Sequence, residues 1–128
     1  MAKTVTTLSD NLHTTSLTEG VSTPVDTQFL TPREHMNPGE VLAAALGACT
    51  LTMVGYAASK RGDNAAGTKL TLDPVFDDKH TRIVKIGLEF DFPSTFTPEQ
   101  KKFYVNVAKT CPVHNSLRED IEYTVTVK

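Results

Sequence analysis

The chain has 128 residues, a length typical of one domain. Hydrophobic residues make up 39% of it and charged residues 22%, which excludes a collagen-like repeat and a disordered polyelectrolyte. With 13 basic and 15 acidic side chains, the net charge of −2 offers no basic excess for a phosphate backbone, so we expect no nucleic-acid partner. The first residues alternate polar and apolar and lack the apolar run of a secretory signal, which predicts a cytoplasmic protein.

The first thirty residues predict extended structure. They are rich in Thr, Val and Ser, and segments such as Thr4–Leu8 and Val25–Leu30 suit strands. The pairs Asp10-Asn11 and Glu19-Gly20 are typical of turns, because Asp and Asn tolerate left-handed backbone and Gly adopts it without steric cost. We therefore predict two or three strands in this segment.

A long helix is predicted next. Asn37 is a favourable N-cap, Pro38 suits the first helical position, and Glu40 in the first turn complements the helix dipole. Residues 41–59 carry no charge, two basic residues follow them, and Gly62 marks the end. Both ends of this helix are thus signalled by the sequence.

The uncharged run of this helix permits two interpretations, a transmembrane span or a helix surrounded by protein. We favour the second, because the run is mostly Ala, Gly and Thr, which gain little from hydrocarbon, and no second span follows. We therefore expect no association with a membrane. Small residues such as Ala44, Gly47 and Gly55 let another backbone approach, and a chain this short has little else to cover the helix, so we predict an obligate homodimer.

Alternation and capping signals predict the elements of the second half. Alternating residues predict a hairpin of residues 68–72 and 81–92 with its turn at 77–80. The capping-box pattern Thr97–Gln100 then predicts a helix that runs to about Lys109. A short helical turn after Pro112 and a final strand, Ile121–Val127, complete the chain.

Two cysteines are the residues best suited to chemistry. Taken alone, Cys49 in the middle of an apolar helix is typical of a buried thiol that behaves as a small hydrophobe. Cys111 precedes Pro112 at the start of a predicted helical turn, a location that lowers a thiol pKa. The two are either buried thiols or a peroxidatic and resolving pair, and the sequence alone leaves both interpretations open.

Histidines give a weaker signal. Cys111 and His114 have a spacing that would supply two metal ligands, and His35 is a further candidate. Two ligands do not make a site, and no second close Cys or His pair accompanies them. We therefore predict no metal and no bound cofactor, with solvated or hydrogen-bonded histidines.

The segments Asn37–Cys49 and Cys111–Leu117 resemble the OsmC/Ohr family, that is, osmotically inducible protein C and organic hydroperoxide resistance protein. The shared features are an Asn-Pro-initiated helix of small residues with an internal cysteine and a distant Cys-Pro pair. The resemblance implies an α+β fold in which antiparallel sheets wrap around a central buried helix. It also implies an intertwined homodimer with thiol sites at its interface.

The resemblance further implies a thiol-dependent peroxidase. In such a cycle Cys49 attacks the peroxide and becomes a sulfenic acid, Cys111 condenses with it to a disulfide, and an external dithiol reductant restores both thiols. The family's peroxidases also place a carboxylate and an arginine beside the thiolate. Here Glu40 and Arg33 are the candidates, although a first-turn dipole residue and a solvated loop charge are their ordinary interpretations.

The apolar surroundings of Cys49 favour organic hydroperoxides over hydrogen peroxide as substrate. The predicted pocket walls are Leu42, Leu46, Met53 and Tyr56. The alternative is a non-catalytic dimer of the same fold that binds a small apolar ligand and whose cysteines are structural. Gly39 in place of the family's carboxylate and the lack of an arginine before Arg33 favour that alternative. A scaffold dimer with neither activity is a third hypothesis.

Overall fold

A computed structural model describes residues 1–128 and divides into two compact units, Met1–Leu42 and Ala43–Lys128. The first unit is a three-stranded antiparallel sheet of β1 (Thr4–Leu8), β2 (His13–Thr18) and β3 (Val25–Gln28) in that order. A 3-10 turn at Asp10–Leu12, in which Asn11 has φ 62°, joins the first two strands. The predicted strands and the turn at Asp10-Asn11 are confirmed.

The long helix α1 spans Pro38–Arg61, as predicted. Its first turn is closed by reciprocal bonds, since the Glu40 N–H donates to Asn37 Oδ1 at 2.9 Å and the Asn37 N–H donates to Glu40 Oε1 at 2.8 Å. Residues three or four apart form its buried face: Ala43, Leu46, Gly47, Thr50, Val54 and Ala58. This face packs into the core of the second unit.

The opposite face of α1 is uncharged and exposed in the single chain. By length and composition alone the helix could cross a membrane, with a mean hydropathy of 1.8 over 18 residues of which 28% are buried. One such helix is weak support for a span, because the core helix of a soluble protein meets the same criterion.

The sheet of the second unit contains β4 (Lys69–Phe76), β5 (Ile83–Asp91) and β6 (Glu122–Val127), with β5 in the middle. Strands β4 and β5 form the predicted hairpin, whereas β6 runs parallel to β5. The expectation of purely antiparallel sheets is thus corrected here. A parallel neighbour requires a long crossover, which residues 92–121 supply with α2 (Pro98–Ala108) and α3 (Pro112–Ser116).

The core of the second unit is aromatic. Phe90 in β5 and Phe92, the residue after that strand, stack with ring centroids 5.4 Å apart, and Phe96 continues the stack at 5.9 Å from Phe92. Tyr104 on α2 is fully buried, and its hydroxyl donates to Asp63 Oδ2 at 2.5 Å. Cys111 belongs to the same buried cluster, so the fold places this thiol inside the protein.

Candidate functional site

The structure brings the two cysteines together although 61 residues separate them in sequence. Cys49 is half-buried on α1 and packs against the core, while Cys111 lies just before α3 with an exposed fraction of 0%. Both are free thiols, and each thiol shifts the pKa of the other. Of the two, Cys49 is the one that solvent reaches.

Cys111 is the N-cap of α3. Its Sγ accepts the His114 N–H at 3.4 Å, and Pro112 occupies the first helical position, where its missing N–H costs nothing. Thr50, buried on α1 next to Cys49, also lowers the pKa of this thiol through its hydroxyl. The sequence folds in this way because a short helix needs an acceptor at its N-terminus, and the cysteine provides it.

The donors around Cys111 determine where negative charge lies in the pair. Burial on its own raises the pKa of Cys111, but hydrogen bonds from Cys49, the His114 N–H and Thr50 outweigh it and hold the pKa below its ordinary value. The pKa of Cys49 is raised, chiefly because its thiol donates to Cys111. Of the two thiols, Cys111 is therefore the one that ionises more readily.

A cavity of about 330 Å³ adjoins this pair. Thr50 and His114, which both lower the pKa of Cys111, are among the residues that line it. Its wall is mostly apolar. The lining residues are Thr50, Leu88, Phe90, Val105, Ala108, Lys109, His114, Tyr123 and Val125. The cavity can accept a small molecule with an apolar body and one polar end.

Tyr123 supplies an unused polar group to this cavity. Its hydroxyl is buried and has no hydrogen-bond partner, while its ring stacks on the His114 ring at 4.3 Å. Burial, together with the negative charge of Cys111, raises the pKa of Tyr123, so the hydroxyl remains a proton donor. Sequence reasoning missed both Thr50 and Tyr123.

Arg33 and Glu40 form an ion pair within the first unit. The Arg33 guanidinium donates to both carboxylate oxygens of Glu40, one of them at 3.4 Å. Arg33 and then the Asn37 N–H lower the pKa of Glu40. Both residues thus have structural partners, in keeping with their ordinary interpretations, and their catalytic roles stay predictions.

The four predicted pocket residues have different environments. Leu46 is fully buried in the core, Met53 packs against that core, Leu42 is half-buried, and Tyr56 is 62% exposed with the Lys60 nitrogen 5.4 Å from its ring centre. None of the four lines the cavity beside Cys111. Their role as substrate walls stays a prediction.

Comparison with known protein families shows the family to which the chain belongs. The OsmC-like protein family matches residues 31–126, a range that includes both cysteines. The chain belongs to the OsmC-like family. No curated protein matches the sequence of this OsmC-like protein.

Solved structures share the fold of this OsmC-like protein along its whole length. A protein of Psychrobacter arcticus 273-4, named for osmotic stress induction and a detoxification response, has a TM-score of 0.91 at 24% identity, covering 100% of this chain and 96% of its own. An OsmC-like protein of Mycoplasma pneumoniae has a TM-score of 0.84 at 16% identity, with 100% and 94% covered. The organic hydroperoxide resistance protein OhrB of Bacillus subtilis has a TM-score of 0.72 at 15% identity, with 100% and 98% covered.

Proposed function

We propose that this OsmC-like protein is a cytoplasmic, homodimeric, thiol-dependent peroxidase that reduces organic hydroperoxides. The observation that carries the proposal is the pairing of Cys49, which is half-buried, with Cys111, which is fully buried and has a lowered thiol pKa. The name of the Bacillus subtilis neighbour, an organic hydroperoxide resistance protein, supports the substrate class.

The first step is attack by the accessible sulfur. Cys111, as thiolate, takes the shared proton from Cys49, whose sulfur then bonds to the terminal oxygen of the hydroperoxide. The O–O bond breaks, the alkoxide leaving group takes a proton from solvent, and Cys49 becomes a sulfenic acid. Two electrons pass from sulfur to the peroxide, which leaves as an alcohol.

The second step joins the two sulfurs. The Cys111 thiol attacks the Cys49 sulfenic sulfur, an S–S bond forms, and water leaves with the Cys111 proton. An external dithiol then reduces the disulfide by exchange and is itself oxidised to a disulfide. This dithiol is the co-reactant of the proposed cycle.

The cavity supports an organic substrate. Side chains such as Leu88, Phe90 and Val105 would bury an alkyl group, whereas hydrogen peroxide has none to bury. Tyr123 lines the same cavity and its hydroxyl has no partner in the protein, which supports a role for it as a donor to a peroxide oxygen. We expect a preference for hydroperoxides with a small apolar substituent.

One experiment tests the proposal directly. The fully reduced protein is mixed with one equivalent of an organic hydroperoxide and followed by intact and peptide mass spectrometry. We expect rapid formation of a disulfide between Cys49 and Cys111 in the wild type. Cys49→Ser should consume no peroxide, and Cys111→Ser should complete a single slow turnover that leaves a sulfenic acid on Cys49.

Two outcomes would overturn the peroxidase proposal. One is thiols that stay reduced in the folded protein after peroxide is added. The other is undiminished turnover in Cys49→Ser. Circular dichroism of each variant separates loss of chemistry from loss of folding.

The cavity also favours a second candidate function, non-catalytic binding of a small apolar ligand with structural cysteines. About 330 Å³ of mostly apolar space is compatible with such a ligand whether or not the thiols react. Native mass spectrometry distinguishes the two functions. A co-purifying ligand together with thiols inert to hydroperoxide would support binding, and an empty protein with reactive thiols would support catalysis.

A further inference from the structure

A second cluster of chemically capable side chains lies in the first unit. His13, Asp26 and His35 present ligand atoms that all lie within 4.8 Å of one another. The His13 Nε2 is 3.1 Å from the Asp26 Oδ1, and the rings of His13 and His35 stack with centroids 5.5 Å apart. From the sequence only His35 is a candidate ligand, because the three members are 13 and 9 residues apart and have no recognisable metal-ligand spacing.

Strand register places the first two members on one face. Thr15 pairs with Asp26 and His13 pairs with Gln28, so that the side chains of His13 and Asp26 are diagonal neighbours. Both residues are on regular antiparallel strands, which hold side chains more rigidly than loops do. The pair is therefore built into the sheet.

Gln28 positions the third member. Its side-chain oxygen accepts the backbone N–H groups of Glu34 and His35 at 2.7 and 3.1 Å. Its own backbone N–H donates to the Met36 oxygen at 3.0 Å. These three bonds fold the segment after β3 back onto the strand and bring His35 to His13.

We propose that His13, Asp26 and His35 bind a divalent transition metal of the zinc type, with one coordination position open. Two imidazoles and one carboxylate are the ligands that such ions take in sites that keep an open position. Metal–ligand bonds of about 2.0–2.1 Å put tetrahedral ligands roughly 3.3 Å apart. The observed 3.1 Å between His13 Nε2 and Asp26 Oδ1 is close to this spacing. The other pairs lie within 4.8 Å and need to close by at most about 1.5 Å.

The surroundings of Asp26 prepare it as a ligand. The Thr15 hydroxyl donates to Asp26 Oδ1 at 2.6 Å and fixes the carboxylate, as outer-shell partners of metal ligands do. With two neutral imidazoles, the carboxylate gives a divalent ion a net charge of +1.

Metal titration of the reduced 128-residue chain tests the site. Zn²⁺ binding is measured by calorimetry, and Co²⁺ binding by its visible absorption bands. We expect one ion per chain in the wild type, and affinity reduced by about tenfold or more in His13→Ala, His35→Ala and Asp26→Asn. His80→Ala, which removes an exposed histidine from the turn after β4, should bind as the wild type does.

The thiols provide the competing explanation, since thiolates also bind zinc. A thiolate-to-cobalt charge-transfer band that disappears in Cys111→Ser would assign the ion to the cysteines and overturn the proposal. Absence of binding in the wild type would also overturn it. So would a metal affinity in all three cluster variants equal to that of the wild type. If an alanine variant fails to fold by circular dichroism, the isosteric Asp26→Asn variant carries the test.

Discussion

At the scale of single residues, the Thr50 hydroxyl helps to decide which sulfur of the pair is charged. Thr50 is buried on α1, and its hydroxyl lowers the pKa of Cys111 together with the His114 N–H, which donates to the Cys111 sulfur. A buried thiol without such donors would stay protonated, because burial disfavours the charged form. The proposed proton transfer from Cys49 to Cys111 therefore depends on a residue of the cavity wall as well as on the two thiols.

We expect Thr50→Val, which keeps the shape and removes the donor, to raise the pKa of the Cys111 thiol. The pH at which thiolate absorbance appears in the reduced protein should move upward, and peroxide consumption at neutral pH should slow. The matched control is Thr52→Val, because the exposed Thr52 hydroxyl donates to the Ala48 carbonyl at 2.7 Å and not to a thiol. Identical titration midpoints for the two variants would contradict the role of Thr50.

The sequence predicts some of these residues and not others, for a physical reason. Cys49 and Cys111 carry recognisable local signals, a small-residue helix and a Cys-Pro helix start. Thr50 is one of several threonines, and its function depends on where Cys111 arrives in space. The His13–Asp26 pair likewise depends on strand register, which a Thr-rich pattern specifies weakly.

At the scale of elements, helix boundaries were predictable because capping chemistry is local. The Asn37–Glu40 bonds that begin α1 and the Thr97–Gln100 capping box that begins α2 join residues three apart. The direction of β6 was not predictable in this way. An alternating strand reads the same for either direction, and the parallel pairing follows from the path of the whole crossover.

Asp120 ties the start of β6 to its neighbours. Its carboxylate accepts hydrogen bonds from Arg118 at 2.8 and 2.9 Å and from Arg82 at 2.9 Å. Arg82 directly precedes the first residue of β5. The Arg118 hydrogen bonds are the main cause that lowers the pKa of Asp120 to about 2. The ion cluster thus favours the folded state while this carboxylate is ionised.

We expect Asp120→Asn to destabilise the protein at neutral pH and to have less effect in acid. An unfolded Asp titrates near pH 3.9, and the folded group near 2. The stabilisation is therefore complete above about pH 4 and is lost as the pH falls toward 2. Urea midpoints of wild type and variant should converge over that range, whereas exposed Asp78→Asn should show no such convergence. A constant gap between wild type and Asp120→Asn would refute the linkage.

At the scale of the whole molecule, a single chain leaves much apolar surface exposed. The outer face of α1 is uncharged, with Ala44, Ala48, Thr52 and Gly55 all exposed. Leu8 and Phe29 of the first unit are 69% and 67% exposed. Soluble monomers rarely leave large apolar patches open, so a second copy of the chain is the simplest cover.

We expect Ala48→Glu to convert the proposed dimer into a monomer. The substitution places a carboxylate on the uncharged face of α1, and burying an unpaired charge in an interface costs several kcal/mol. Light scattering coupled to size exclusion measures the mass directly, against the 14.0 kDa of one chain. Ala66→Glu adds the same charge in an exposed turn after α1 and should leave the dimer intact. A monomeric wild type, or an Ala48→Glu variant that stays dimeric, would show that this face is not the dimer interface.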